Sequence, residues 1–472
     1  LYLFQTPFVF QYQLQDYLLC NTVAKNMGTH TKLMTKGSIQ KNLISFALPI
    51  FFGNLFQQLY HTTDTLVVGN FVGKEALAAI SSITSLIMLL VGLFQGLFVG
   101  AGVVISSEFG KGNKEGVQKA VHTTVALGIL ASIVLTVLGV FITPTILVWM
   151  QTPQNVFSDA QEYLRIFFLG ISTLVLYNTA SGILQAVGDS KHPLYFLLVA
   201  AILNIVLDIV FVAYLGMGIA GTAYATIIAQ GISAILCFRL LFTTKDIIRV
   251  TLRKIGLYRP YFSETMRLGI PSGIQNSVTS FANVIMQSSI NLFGASAMAG
   301  NGIFMRVQGF AFIPITAFAL ALTTFTGQNL GAGEFDRVRK GARVGVISAM
   351  VLAQAIGIFL FFAAEPIILL FSRDPQVLAI GIEKARISSL FLCALALSHA
   401  MTGIFRGAGK SIVPMSVMLL IWCIFRITFT TIGLKIWMDV RVVFWAYPVT
   451  WTLSSIIFIF YYFFVDWMQT KS

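Results

Sequence analysis

FGKGNKEGVQKA (residues 109–120) returns 221 positions later as LGAGEFDRVRKG (330–341). Each copy joins a Gly-x-Gly turn to a basic segment, and each follows a long apolar run. The same offset lays Gly182 and Ile183 on Gly403 and Ile404, Gly188 on Gly409, Ser190 on Ser411 and Pro193 on Pro414. It also lays Glu162 on Glu383 and Arg165 on Arg386, and one further residue of shift brings Pro49 onto Pro271. The chain therefore reads as a duplication.

What is duplicated follows from composition. Of 472 residues, 57% are hydrophobic and 10% charged, with a mean hydropathy of +0.83. Soluble domains carry about 25% charged residues. A helix needs about 20 apolar residues to cross a hydrocarbon core. Runs broken by Gly, Pro or charge predict twelve spans, at 41–69, 77–107, 119–142, 160–187, 193–214, 219–242, 265–292, 297–326, 341–363, 379–405, 414–437 and 442–465. The expected fold is an all-α membrane protein whose twelve transmembrane helices form two pseudo-symmetric six-helix lobes. Six is even, so the lobes are a parallel repeat about an axis along the membrane normal. The expected division is an N-lobe over 34–242, a basic cytoplasmic linker over 243–264 and a C-lobe over 265–468. Residues 1–33 lack a basic n-region, Asp16 interrupts their apolar pattern, and Met34 reads as a start. They are expected to form an extension outside the core.

The net charge of +13 could suggest a nucleic-acid partner. Its distribution argues against one. With both termini on the inner side, 22 of the 31 basic residues fall in inner segments and 4 (Lys74, Arg373, Lys435 and Arg441) in outer ones. That bias is the positive-inside rule, and it predicts cytoplasmic termini in a plasma-membrane protein. Cys20, Cys237, Cys393 and Cys423 have neither metal-ligand spacing nor a disulfide pattern. Paired-aspartate metal motifs, HExxH, Walker A and a Ser–His–Asp arrangement are all missing, so an enzyme is not expected.

Only Asp64 and Asp208, of 18 carboxylates, fall well inside predicted spans. An intramembrane acid is costly and points to an ion or proton site. Counted from Gly69, Gly216 and Gly218, Asp64, Asp208 and Thr226 all lie roughly 8–12 Å below the outer face. Asn204 stands one turn from Asp208 on the same helix face. Two carboxylates, an amide oxygen and a hydroxyl at one depth can hold a hard monovalent cation, Na⁺, or a shared proton. They can also tie helices together through local Ser or Thr caps. The repeat lays Asp64 on Met286, Asn204 on Phe425, Asp208 on Phe429 and Thr226 on Tyr447, so such a site belongs to the N-lobe alone.

A polar stripe persists in both halves. Asn54, Gln57, His61 and Asp64 share one face of the first span, as Asn276, Thr279, Asn283 and Met286 share one face of the seventh. Gln57, His61, Thr279, Asn283 and Met286 are candidates to line a central substrate cavity, and His61 is expected neutral and hydrogen-bonded. Asn54 and Asn276 fit helix-to-helix hydrogen bonding equally well. Arg306 and Arg426 fall near mid-membrane, where they either meet helix-end carbonyls and amide oxygens or line the cavity.

QQLYHTTDTLVVGNFVGKEALAA (57–79), the repeated glycine–basic loops, GILQAVGDSKHP (182–193) and LNIVLDIVF (203–211) together resemble the MATE family, multidrug and toxic compound extrusion. The resemblance covers about residues 34–468. It implies a monomeric transporter in the bilayer, of two six-helix lobes in a V, which exports drugs or other organic, cationic compounds against an inward Na⁺ or H⁺ gradient. It implies no cofactor beyond that coupling ion. The family's N-lobe cation site falls here on Asp64, Asn204, Asp208 and Thr226; the acidic C-lobe site of some relatives is missing. Two alternatives stay open. A flippase of lipid-linked oligosaccharide precursors would prefer a basic cavity, to which Arg306 and Arg426 lend weight. A major-facilitator transporter shares the 6+6 repeat, but its loop between the second and third spans carries Arg, and FGKGNKEGVQKA has none.

Overall fold

Each long apolar run forms a helix, and glycine or a capping side chain sets its ends. A computed structural model describes residues 31–468 apart from residue 73 and residues 150–153; residues 1–30, most of the expected extension, lie outside it. In chain order the helices are α1 (Ile39–Phe71), α2 (Lys74–Gly110), α3 (Lys114–Trp149), α4 (Gln154–Ala186), α5 (Lys191–Asp208), which runs on as a π-helical segment Ile209–Tyr214, and α6 (Gly218–Thr243). The second half has α7 (Arg259–Asn291), α8 (Ala295–Gly331), α9 (Phe335–Phe362), the short α10 (Ala364–Leu369), α11 (Pro375–Ser389) and α12 (Leu392–Gly407). It closes with α13 (Ile412–Val417), a π-helical segment Met418–Phe425, α14 (Arg426–Ile436) and α15 (Val440–Phe464). No strand occurs among the described residues.

The repeat is visible in the turns. Gly112 and Gly333, and likewise Gly188 and Gly409, have φ of 70°, 75°, 89° and 74°. That left-handed backbone favours glycine, so the duplicated loops retain it. Caps differ between halves: Asp374 accepts from the N–H groups of Gln376 and Val377 ahead of Pro375, a residue suited to a helix start. Asp439 caps α15 through the Arg441 N–H, and the Arg441 guanidinium holds its carboxyl below the usual range.

Ten helices among the described residues are long and apolar enough to cross a membrane, or eleven if α11 and α12 count as one. The seventh expected span, α7, has the length, at 33 residues, but not the hydropathy. Ser272, Gln275, Asn276, Thr279, Asn283 and Gln287 dilute its apolar face. The tenth expected span, 379–405, is not continuous: α11 and α12 meet at a 52° bend. Exposed Phe141, Leu169 and Phe362 (77, 63 and 78%) give these helices the outward apolar surface that lipid requires.

Two further expectations need correction. Lys32 and Leu33 were assigned to an extension outside the core. Yet the Lys32 N–H donates to Val187 O (2.9 Å), and next to it Met34 is buried, its N–H bonded to Gln328 Oε1 (2.9 Å). Backbone hydrogen bonds hold this strap, and a hydropathy pattern does not register them. The stretch 243–264 is not a free linker either. Its Ile248 and Val250 are buried, the Thr251 N–H donates to His122 Nε2 (3.0 Å), and α7 already begins at Arg259.

The N-lobe core is built on Ile105, Val121, Leu184 and Leu241, with a second cluster around Leu135, Leu164 and Phe168. The C-lobe core, around Phe325, Phe405, Phe444 and Phe458, extends to Leu43, Phe46 and Ile50 of α1. The lobes meet on the side of the basic loops, where α2 lies against α7. A Cβ on Gly96 would come within 2.0 Å of the Gly273 N, and one on Gly273 within 2.3 Å of the Leu93 O. These backbones touch because neither helix has a side chain at the contact. Gln328 completes the seam by donating to Ala186 O (2.9 Å). Gly96→Val should cost at least the 1–3 kcal/mol typical of overpacking, roughly, because only backbone could give way. It is expected to lower the unfolding midpoint of the purified protein, while Gly102→Val, with open space around it, leaves the midpoint unchanged.

Candidate functional site

α1, α5 and α6 bring the four N-lobe candidates together. Asp64 and Asp208 are 9 and 0% exposed, and Asn204 is 1% exposed. Asp64, Asp208 and Asn204 lie close enough together to influence one another's charge. Asn204 Nδ2 stands 3.5 Å from Thr226 Oγ1, and that hydroxyl donates to Thr222 O (3.0 Å). Asp208 is the last residue before the π-helical segment Ile209–Tyr214. Such wide turns often occur at functional sites.

The electrostatics of this cluster are one-sided. Asp64 Oδ1, Asn204 Oδ1 and both carboxyl oxygens of Asp208 are buried without a hydrogen-bond donor. No lysine or arginine pairs with either carboxylate among the described residues; the nearest basic group is His61, its Nδ1 3.7 Å from Asp64 Oδ2. That is too long for a hydrogen bond. The His61 ring leaves 52% of its side-chain surface free. Four buried acceptors from two carboxyls and an amide, with a hydroxyl alongside, form an oxygen cage that fits a hard monovalent cation or a proton.

Three neighbours carried no recognised signal in the sequence. Tyr60 is 3% exposed and its hydroxyl accepts from Gln230 Nε2 (2.8 Å). Tyr163, from α4, lies close enough to feel the charge of both aspartates. A tyrosine or glutamine in an apolar helix reads as ordinary packing, and only the approach of α1, α4 and α6 shows what it faces.

The other cavity candidates separate. Gln57, Thr279 and Asn283 are half-buried and Arg306 is exposed, while Asn276 donates to Gly92 O (3.3 Å) between the lobes. Met286 (0% exposed) is packed against Thr430 Oγ1 at 3.6 Å, so it does not open on a cavity here. Neither does Arg426, which is 1% exposed. Its guanidinium donates to Thr450 Oγ1 (3.1 and 2.7 Å) and lies over the rings of Trp422 and Tyr447. The C-lobe has enough aromatic surface to bury an arginine among its own helices, which depth along the span did not reveal.

Two repeated lobes of membrane-length helices, with an acidic pair sunk into one of them, have the build of a membrane transporter. The MatE family pattern matches residues 49–210 and 271–432, one copy per lobe, opened by Pro49 and Pro271, and the chain belongs to that family. It is 29% identical over 441 residues to "Probable multidrug resistance protein YpnP" of Bacillus subtilis, covering 93% of this chain and 98% of that one. It is 26% identical over 345 residues to the "FAD transporter" of Shewanella oneidensis, covering 72% and 76%. Its fold matches a solved outward-facing multidrug resistance MATE transporter with a TM-score of 0.85 at 23% identity, over 90% of this chain and 96% of that one.

The Tyr60–Gln230 pair offers a direct check on the packing behind the site. Tyr60→Phe leaves a buried Gln230 amide without its partner, at a cost of about 1–3 kcal/mol. Gln230→Leu in turn leaves the Tyr60 hydroxyl without its donor, so both single variants are expected to unfold earlier than the parent. The double variant should lose less than the two single losses combined, as a thermodynamic cycle on interacting groups requires.

Proposed function

We propose that this MATE protein is an antiporter in which Asp64, Asn204, Asp208 and Thr226 bind the coupling cation, Na⁺ or H⁺. It exports organic, cationic compounds from the cell. The observation that carries this reading is the set of four donorless acceptor oxygens in the N-lobe. Bound cation or proton would satisfy them, and no basic side chain among the described residues does so.

The closed seam supports an outward-open reading of this state. The basic loops mark the cytoplasmic side by the positive-inside rule, which places both termini in the cytoplasm and the protein in the plasma membrane. The lobes are packed together on that side where Gly110 meets the Gln328 backbone and Gly331 that of Ser107. A cation arriving from outside reaches Asp64 and Asp208 by the shorter route. For that cation to drive export, it must bind the outward-open and inward-open states with different affinity. Helix packing around Asp208 supplies a means, because the π-helical segment beside it is held by fewer regular hydrogen bonds than an α-helical turn. Gln57, His61, Thr279, Asn283 and Arg306 are positioned to contact substrate between the lobes. Arg426 adds nothing to a basic cavity while stacked in the C-lobe, so the oligosaccharide flippase is the weaker reading.

Asp208→Asn keeps the shape of the side chain and removes its charge. The variant should insert and fold normally while losing efflux of a fluorescent organic cation from vesicles with an imposed gradient. Undiminished efflux would sink the coupling assignment. In the parent protein, efflux measured under a Na⁺ gradient and separately under a pH gradient identifies the ion. Running FAD beside the cationic dyes tests whether the substrate class follows the Bacillus relative's name or the Shewanella one's. The expected outcome is dye transport without flavin transport.

A further inference from the structure

The repeat lays the acidic pair on apolar Met286 and Phe429, but the C-lobe buries two cations around Tyr447, the counterpart of Thr226. By the repeat, Tyr163, which faces both aspartates, lies on Lys384, and Thr226 lies on Tyr447. Lys384 Nζ stands 4.7 Å from the centre of the Tyr447 ring and 5.0 Å from that of Phe444. Arg426 lies over the same Tyr447 ring at 4.6 Å. Both cations are 1% exposed. Lys384 donates to Asn301 Oδ1, and Asn301 Nδ2 donates to Gln287 Oε1 (2.8 Å). Among the described residues no carboxylate comes within ion-pair distance of either cation.

The elements packed on α11 supply one charged group that faces Lys384. α8 presents Asn301, and its Arg306 is exposed; α9 presents Gln354, bonded to the Ser389 backbone. Glu365 of α10 is exposed. On α15, Arg441 is turned to Asp439 and to Glu383 (3.8 Å), which leaves Phe444 and Tyr447 facing inward. On α11 itself, Arg386 lies over Phe361. His399 of α12 is set against Phe312 and Trp422, on the far side of Arg426. Arg426 is the remaining charge, next to Lys384 across Tyr447.

Two cations sharing one ring in a dry interior, with no anion, repel each other and lack hydration. Arginine keeps its proton in proteins, whereas a buried lysine can release one. A neutral amine would still donate to Asn301 and rest on the two rings. Asn301, Phe444 and Tyr447, at 2, 0 and 7% exposed, leave no opening for a larger ligand. We propose that Lys384 is a proton-exchanging site of the C-lobe, set in the repeat on Tyr163, which faces the acidic cluster of the N-lobe. The ammonium passes a proton to a water molecule that reaches it, and the amine takes one back from water; no other bond changes. The acidic cluster and Lys384 would then give the two lobes separate responses to pH.

Solid-state NMR on full-length protein labelled with ¹⁵N-lysine in lipid nanodiscs separates amine from ammonium nitrogen. One lysine signal is expected to pass between the two forms from about pH 5 to 9, where ordinary lysines stay ammonium. Lys384→Met or Lys384→Gln should remove that signal alone. Ammonium signals from every lysine across the whole range would overturn the proposal, and the wild-type spectrum alone decides this. The measurement needs neither substrate nor gradient, so its outcome is independent of the export reading. A second arm does rest on that reading. Lys384→Arg, charged at every pH, should lose about ten-fold or more of dye efflux, because the charge can no longer be given up. Wild-type efflux and pH profile in Lys384→Arg would overturn the proposal.

Discussion

An ionised group inside a bilayer has lost the water that stabilised it, at a cost of about 2.5–3.5 kcal/mol even by the lower measures. Most of the interior of this protein can be understood as a response to that constraint. Arg426 answers it with the Thr450 hydroxyl and two aromatic faces, and Lys384 with Asn301 and two more. Asp64 and Asp208 have no such internal answer, because their acceptor oxygens meet one another and Asn204. A structure that tolerates this arrangement in one lobe, and satisfies its cations with neutral partners in the other, is asymmetric in charge while symmetric in backbone.

The backbone symmetry is itself constrained by close approach. Where α2 crosses α7, glycine removes every atom that could hold the helices apart, and the main chains touch. Contact of this kind packs main chain on main chain, with the Asn276 amide donating to Gly92 O at its edge. The strap from Lys32 to Lys36 and the Gln328 amide add directed hydrogen bonds at the same end. Closure on that side therefore combines a smooth glycine seam with a few bonds that must be exchanged if the lobes separate.

Much of this was legible in the residues. The offset between the two Gly-x-Gly loops gave the two-lobe plan, and Gly112 and Gly333 take the left-handed backbone that such a turn needs. Counting residues from span ends placed Asp64, Asp208 and Thr226 at one depth, and the helices carry them to a single cluster. Legibility failed where polarity or geometry departed from a simple span. α7 forms where a span was expected although its polar stripe keeps its hydropathy low, whereas α11 and α12 form a bend that apolar periodicity spans without notice. Depth alone left Arg426 open between helix-end contacts and the cavity; Tyr447 and Thr450, which close over it with Trp422, come from another helix.

The sequence by itself determined the membrane class, the repeat, the clustering of basic residues in alternate loops and the position of each ionisable group along its span. All of these are properties of position along one chain: rise per residue, run length and charge count. Tertiary structure alone decided which faces meet. It set Tyr60 on Gln230, brought Tyr163 to the aspartates, and stacked Lys384 and Arg426 on one tyrosine. The physical reason is that a helix fixes the height of a side chain through local hydrogen bonding, while its neighbours are fixed by how that helix is rotated against others.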